Sequence, residues 1–413
     1  MQKKGCVQIK FCRLCNSKNL KKVIDLGKTP LANAYSKVKI SKKLKRYPLG
    51  LKYCFNCGHL QLTHSIKPSK MFSNYLYKTN TSKKNFLHFK KYADEIKKKY
   101  KSNGGKILDI ASNDGTFLNF FEKKKYFRLG IDPAKNLKRL SKKKGIIQID
   151  NFFTKRESDK IKKRYGDFDI ITANHVCAHV ENLSDFFSGV QNLLKKDGLF
   201  IFEISYRASV LKKNTFDTIY HEHLDYHALY PICKFVKKFN LNVINFKTPD
   251  AQGGSLRVYA SKNKNIRIQK NIKKQILKEK KTLNLFKTVT YKKFEKKIAD
   301  CKYKLHSIIQ NCKKNHMNFA GYGAAAKTTT FLNYFDISEK DIQFIFDDNK
   351  LKHGLCIPGT KINILNPSVL DRKKIDVLII FAWNYADIII KKNKKFQKKG
   401  GKFLIPFPKP KLL

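Results

Sequence analysis

The chain has 413 residues, 42% of them hydrophobic, enough to bury a sizeable core across two or three domains; no run of about 18 apolar residues exists to cross a membrane. A net charge of +57 suggests a polyanion partner. The positive residues, however, are overwhelmingly Lys rather than the bidentate Arg of base recognition, and they run evenly from Lys3 to Lys411. A solvated basic surface is therefore expected, with no nucleic acid and no membrane as partner. No apolar signal core follows the basic residues 1–5, so a cytoplasmic protein is expected, and its ten cysteines read as thiols or metal ligands rather than disulfides.

Residues 12–64 show little helical periodicity but contain Cys12-x-x-Cys15 and Cys54-x-x-Cys57. Four thiolates in two such knuckles suit tetrahedral zinc. A closed four-sulfur set leaves the metal no open position for water, so one structural zinc per chain is expected, with Cys6 spare. Apolar residues at Phe86, Phe89, Tyr92, Ile96 and Tyr100 then give the spacing of a helix from Lys83 to Tyr100.

Strand–turn–helix alternation begins at Lys106-Ile107-Leu108-Asp109-Ile110 and continues to Phe200-Ile201-Phe202, which predicts a parallel sheet with helices on both faces. The first turn, Asp109-Ile110-Ala111-Ser112-Asn113-Asp114-Gly115, has an acidic strand end and small residues. It suits the methionine part and ribose of S-adenosylmethionine, whereas a dinucleotide turn would carry three spaced glycines. Asp132 ends the next strand, where a carboxylate can accept both ribose hydroxyls; Asn151 is placed to face the adenine, and Asn174 closes a further strand near the cofactor. His175 and His179 lack a third ligand for a metal and read as structural, with His179 a helix-end or packing histidine.

Tyr220-His221-Glu222-His223 is a run of titratable side chains of the kind that a proton-abstracting site needs. Phe294, Ile298, Cys301, Leu305, Ile308 and Cys312 predict a long amphipathic helix. A second strand–glycine turn–helix follows at Gly321-Tyr322-Gly323, where the N-terminus of a helix attracts phosphate and Lys327 adds a point charge. Further strands are expected at residues 342–346, 377–380 and 402–405. The fold class is α/β, with a zinc-binding module at 1–75 and nucleotide-fold units at 76–250 and 251–413.

In this order, the double CxxC, Ser112-Asn113-Asp114-Gly115-Thr116, residues 174–180, Glu203-Ile204-Ser205-Tyr206, Tyr220-His221-Glu222-His223, residues 253–259 and residues 321–327 resemble the sugar-nucleotide C-methyltransferases over nearly the whole chain. The resemblance implies a zinc-binding N-terminal domain, a Rossmann-like class I methyltransferase domain and a C-terminal Rossmann-like domain that helps to hold a nucleoside diphosphate. The acceptor is then a carbon beside the ketone of a nucleoside-diphosphate keto-deoxysugar. His223 is implied as the base, with Tyr220 and Glu222 shaping its environment or polarising the ketone, and with Tyr77, ahead of Tyr75, from the loop after the zinc module. Arg257, Gly321, Gly323, Lys327 and Trp383 are implied as substrate contacts. Three residues depart from the family pattern: Ala111, where many methyltransferases have glycine, Thr328 after Lys327, and Gln252 where a histidine is frequent. O- or N-methyl transfer to a sugar nucleotide or glycan is the alternative chemistry, and a zinc-bearing nucleic-acid-binding protein the alternative of another class. A monomer and a dimer are both open.

Overall fold

A computed structural model describes residues 5–41, 43–72, 83–407 and 409–413. The N-terminal module is built on an antiparallel sheet of Leu20–Thr29, Tyr47–Cys54 and Leu60–Leu62. Its fourth strand comes from far along the chain: Asp225–Tyr226, just past the titratable run, pairs with Leu60–Leu62. The two CxxC knuckles close alike. Asn16 N–H donates to Cys12 O at 2.8 Å and Gly58 N–H to Cys54 O at 2.9 Å, and both residues take positive φ. At Gly58 a Cβ would lie 2.2 Å from the Phe286 ring, so glycine is required by close approach as well as by conformation.

The central unit is a seven-stranded sheet in the order Asn242–Lys247, Ser255–Ser261, Leu194–Ser205, Phe168–Asn174, Gly105–Ile110, Tyr126–Ile131, Ile147–Ile149. The five strands from Leu194–Ser205 to Ile147–Ile149 are parallel, while Ser255–Ser261 runs antiparallel to its neighbours. The boundary at residue 250 falls in the loop of this last hairpin, so a strand from the third expected segment sits in the second segment's sheet. The expected helix is present at Lys83–Tyr100 and buries Phe89, Tyr92 and Ile96 against it. Thr154 accepts from Glu157 N–H and Asn182 from Asp185 N–H, side-chain caps that fix where two flanking helices start.

The C-terminal sheet runs Asn363–Leu365, Phe344–Phe346, Phe319–Tyr322, Val377–Ile380, Lys402–Ile405, Lys411–Leu412, parallel except for its last strand. The unbroken apolar runs of its central strands are explained by burial on both faces. The long helix, Thr288–Lys314, buries Tyr291, Phe294, Ile298, Cys301 and Leu305 in one apolar core shared by the N-terminal sheet and the C-terminal sheet. No helix among the described residues is long and apolar enough to cross a membrane.

In both nucleotide folds the strand order reverses beside the first strand, between Gly105–Ile110 and Phe168–Asn174 and between Phe319–Tyr322 and Val377–Ile380. Ligand crevices form at such reversals, past the carboxyl ends of the strands. At the first crevice Ala111, Asn113 and His175 all have φ between 53 and 59°. Asn tolerates this region, but alanine does not, because its Cβ crowds the following carbonyl. Ala111→Gly should therefore stabilise the protein by about 1 kcal/mol, read as a higher unfolding midpoint; an unchanged or lower midpoint would refute strain at this position.

Candidate active site

A cleft of about 2300 Å³ runs along the junction of the three units, from the Ala111 turn past His179, Tyr220 and His223 to Gly323, Lys327 and Trp383. Of the titratable run, Tyr220 and His223 line the cleft, while His221 and Glu222 are buried behind it. His223 Nδ1 is 2.8 Å from the carbonyl of Thr218. A carbonyl only accepts, so Nδ1 carries the proton and the neutral ring keeps its lone pair on Nε2. The ring centroid lies 4.0 Å from that of Tyr220 and 5.0 Å from that of His179. Burial, then the neighbouring His179, push the His223 pKa down to about 3.

Glu222 is displaced in the opposite sense. Burial pushes its pKa up to about 7, against the hydrogen bond that Oε1 accepts from Asn33 Nδ2 at 2.7 Å. Its Oε2 is buried and has no partner among the described residues. The Glu222 carbonyl accepts from His179 Nδ1 at 2.6 Å, so the backbone of the turn is tied to the strand end that precedes it. Neighbouring groups whose pKa values are driven apart are the arrangement that lets a site both take and give protons.

On one side of this turn, Asp132 lies on the cleft wall and accepts Asn113 N–H at 2.9 Å and Ala134 N–H at 2.8 Å. Asp109 is buried behind it, bonded to the Thr172 hydroxyl at 2.6 Å and to Asn174 Nδ2 at 3.4 Å. Burial and, in smaller part, the Asp132 charge push Asp109 up to about 7. Asn174 lines the cleft, and its Oδ1 is buried without a partner among the described residues. On the other side, Lys327 Nζ donates to Asn384 Oδ1 at 2.8 Å and lies 3.8 Å from the centroid of the Trp383 ring. Burial pushes its pKa down to about 8, although the charge of Asp217 opposes this.

Three family models match in chain order: a zinc binding domain at residues 12–72, a methyltransferase domain at 85–245 and a C-methyltransferase C-terminal domain at 250–408. The chain is also 29% identical over 404 residues to the C-methyltransferase NovU of Streptomyces niveus, covering 97% of this chain and 96% of that one. Zinc-binding, methyltransferase and C-methyltransferase C-terminal domains thus follow one another along the chain. Similar solved structures include an S-adenosylmethionine-dependent methyltransferase from Clostridium acetobutylicum (17% identity, 42% of this chain and 92% of that one, TM-score 0.34). Another is the PH0226 protein from Pyrococcus horikoshii (16% identity, 47% and 97%, TM-score 0.35). This C-methyltransferase uses S-adenosylmethionine, and its alternative reading as a nucleic-acid-binding protein gives way to these matches.

The residues present fit both groups that the family carries. The sulfurs of Cys12, Cys15, Cys54 and Cys57 all lie within 4.8 Å of one another. Four sulfurs about 2.3 Å from a tetrahedral zinc would stand about 3.8 Å apart. Four sulfur ligands would leave the metal no open coordination position. For S-adenosylmethionine, the orphaned Asn174 Oδ1 and the remaining lone pairs of Asp132 face the cleft at the strand-order reversal, where a polar ligand would satisfy them.

The sequence-derived site residues divide into wall and support. Asn113, Asp132, Asn151, Asn174, Tyr220, His223, Gly323, Lys327 and Trp383 line the cleft. Asn151 commits its amide to Glu157 and its carbonyl to Phe152 N–H. Asp109, Ser112, Asp114 and Gly115 are not on the wall but build the turn behind it: Ser112 bonds Gln148, Asp114 receives Thr116 N–H, and Gly115 leaves room for Ile146. Gly321 is likewise a packing residue, since a Cβ there would lie 2.7 Å from Ile345 and Phe381.

Arg257 corrects the sequence reading. Expected at the sugar nucleotide, it is buried off the wall, with Nη2 2.8 Å from Glu203 Oε2 and its guanidinium 3.5 Å over the Tyr92 ring. Its charge is consumed by a buried carboxylate and is not free for phosphate. His179 occupies a turn rather than a helix end and stands beside His223 on the wall. Asn33 escaped sequence reading, and nothing in its local pattern marks it. Tyr75 and Tyr77 lie outside the described residues.

Because metal binding supplies folding free energy to a small module, purified protein should contain one zinc per chain, and Cys54→Ser should lower stability and solubility rather than selectively remove turnover. Elemental analysis showing no zinc, with all four thiols freely titratable in the native protein, would contradict this.

Proposed function

We propose that this enzyme transfers a methyl group to the carbon beside the ketone of a nucleoside-diphosphate-linked keto-deoxysugar, with His223 as the base. The observation that carries the reading is the His223 lone pair: the Thr218 carbonyl fixes the tautomer, which leaves Nε2 as acceptor in a cleft reaching from a cofactor turn to a buried lysine. A carbon acid needs such a positioned base, since it does not ionise unaided.

The two ends of the cleft support the choice of substrate. The helix Ala326–Phe335 begins at its far end with no side-chain cap, so its first N–H groups can take phosphate oxygens beside Lys327. Gly323 has φ +97° and lets Ala382 approach, a Cβ there lying 2.5 Å from the Ala382 Cβ. It therefore shapes the phosphate end through packing. A bound diphosphate would hold Lys327 in its charged form, opposing the effect of burial. At the opposite end, Asp132 is the acceptor for the ribose hydroxyls of the cofactor, with Asn174 beside it.

S-Adenosylmethionine, when bound, supplies an electrophilic methyl group on a sulfonium sulfur. His223 Nε2 takes the proton from the acceptor carbon, and the electron pair of the broken C–H bond passes into an enolate whose carbon forms the new bond to the methyl, while the bond between that methyl and the sulfur breaks and its electron pair stays on the sulfur of the departing thioether. The Tyr220 ring, 4.0 Å away, offers its face to the imidazolium as it forms. In the free enzyme His223 stays unprotonated through the physiological range. Negative charge brought by the diphosphate and growing on the ketone oxygen raises its basicity as the proton moves.

Two measurements test this. Asp132→Ala should weaken S-adenosylmethionine binding by about 1.5–3 kcal/mol for each charged hydrogen bond lost; an unchanged calorimetric affinity would place the cofactor elsewhere. His223→Ala should lower turnover by about 10²–10⁴-fold with cofactor affinity intact, and His223→Asn should be nearly as poor, since it keeps shape without basicity. Deuterium exchange at the acceptor carbon isolates the proton step. Wild-type exchange in His223→Ala would assign the base to another group.

A further inference from the structure

We infer that Asn33 is a positioning residue of the transfer site: the zinc-bearing module extends this side chain through the cleft wall to hold the carboxyl of Glu222. Methyl transfer then requires the N-terminal module for a side chain in the site as well as for stability. The inference rests on the reading of Tyr220-His221-Glu222-His223 as the reacting turn.

Asn33 lines the cleft, and its Nδ2 donates to Glu222 Oε1 at 2.7 Å across 189 residues of sequence. The opposite amide orientation would set two acceptors face to face unless the carboxyl were protonated. The residues flanking Asn33 are fixed from the C-terminal unit. The Ala32 carbonyl accepts from the Thr329 hydroxyl at 2.9 Å, the Tyr35 hydroxyl donates to the Ala324 carbonyl at 2.6 Å, and the Ser36 carbonyl accepts Cys356 N–H at 2.8 Å. The amide is thus presented on a short segment that cannot swing without breaking bonds on both sides.

Glu222 is held correspondingly: Oε1 by Asn33 and its carbonyl by His179, while the buried Oε2 has no partner among the described residues. That oxygen can accept a proton or, once protonated, donate a hydrogen bond. The titratable groups facing Glu222 from other elements are His179, bonded to its carbonyl, and Tyr35. Around Tyr35 stand Lys352, 5.0 Å from its ring, and Asp347. On Glu222's own turn are Tyr220, His221 and His223. Donation by Asn33 favours the ionised carboxylate against the effect of burial.

The test follows the Glu222 carboxyl directly by infrared difference spectroscopy, with the band assigned by its loss in Glu222→Gln. Turnover is read in parallel on thymidine diphosphate 4-keto-6-deoxyglucose. Asn33→Ala should move the Glu222 titration to higher pH and lower turnover about ten- to hundredfold, while S-adenosylmethionine affinity and the unfolding midpoint stay at wild-type values. Asn33→Asp, which keeps the side-chain shape but sets a carboxylate against a carboxylate, should move the titration further in the same direction. In the Glu222→Gln background the Asn33→Ala change should add little, because the two act through one contact. A wild-type Glu222 titration in both Asn33 variants, or wild-type turnover in Asn33→Ala, overturns the inference. Wild-type turnover in Glu222→Gln would instead defeat the reading of the turn itself. Impaired Glu222→Gln beside unimpaired Asn33→Ala would defeat the role of Asn33 alone.

Discussion

The arrangement of the cleft depends on one buried carboxylate. Asp225, two residues after His223, receives the single N–H of Arg13 Nε between its two oxygens, at 2.9 and 3.0 Å, and lies 2.8 Å from His59 Nε2. Arg13 stands between the first two cysteine ligands and His59 follows the last, so both partners are placed by the zinc knuckles. Burial alone would raise the pKa of Asp225; the Arg13 guanidinium and His59 outweigh it and hold the carboxyl well below the usual range. Such a pair adds little net stability over an apolar replacement, but removing one partner strands the other charge at a cost of about 3–5 kcal/mol. Its value here is geometric. The contact admits one placement of the zinc module against the reacting turn, and the Asp225–Tyr226 strand extends that placement into the module's sheet.

A second buried carboxylate performs the matching task on the cofactor side. Glu203, at the end of Leu194–Ser205, is approached by Arg257 Nη2 at 2.8 Å, His88 Nε2 at 2.9 Å and His175 Nε2 at 3.2 Å. Burial would raise its pKa, yet the hydrogen bonds from the two histidines and the charge of Arg257 hold it well below the carboxylate range. His175 is also tied through its N–H to the Glu203 carbonyl at 2.7 Å, which fixes the left-handed residue immediately after Asn174. Two Arg–carboxylate–His clusters, at Asp225 and Glu203, therefore anchor two segments that flank the cleft.

The sequence made legible whatever depends on local pattern. The paired CxxC knuckles converge, the strands Val377–Ile380 and Lys402–Ile405 have the predicted bounds, and Lys83–Tyr100 is the helix its spacing implies. The long helix extends beyond the periodic residues to Thr288–Lys314, because Tyr291 joins the buried stripe one turn earlier than an aliphatic count would place it. The C-terminal strand expected from Ile342 starts at Phe344, after Gln343 N–H has bonded Phe319 O across the sheet edge. What local pattern could not supply is pairing at a distance. The partner of Arg257 is 54 residues away and that of Asn33 is 189 away. A two-residue strand such as Asp225–Tyr226 has no periodicity to detect, and an arginine bound for a buried pair looks in sequence like one bound for phosphate.

The two halves of the cleft meet on a single 3-10 turn, Phe216–Thr218. Thr218 offers its carbonyl to His223 Nδ1 and fixes the tautomer of the candidate base. Its neighbour Asp217, buried, accepts Trp383 Nε1–H at 2.8 Å, and Trp383 in turn carries Lys327 on its ring face. The Asp217 carboxylate opposes the downward push of burial on Lys327, while its Oδ1 has no partner among the described residues. An anion that arrives at Lys327 acts on the same side chains that orient Asp217, one peptide from the carbonyl that holds the base. Under the proposed chemistry, charge at Lys327 and basicity at His223 would be coupled through two consecutive residues, Asp217 and Thr218, rather than through a long path across the fold.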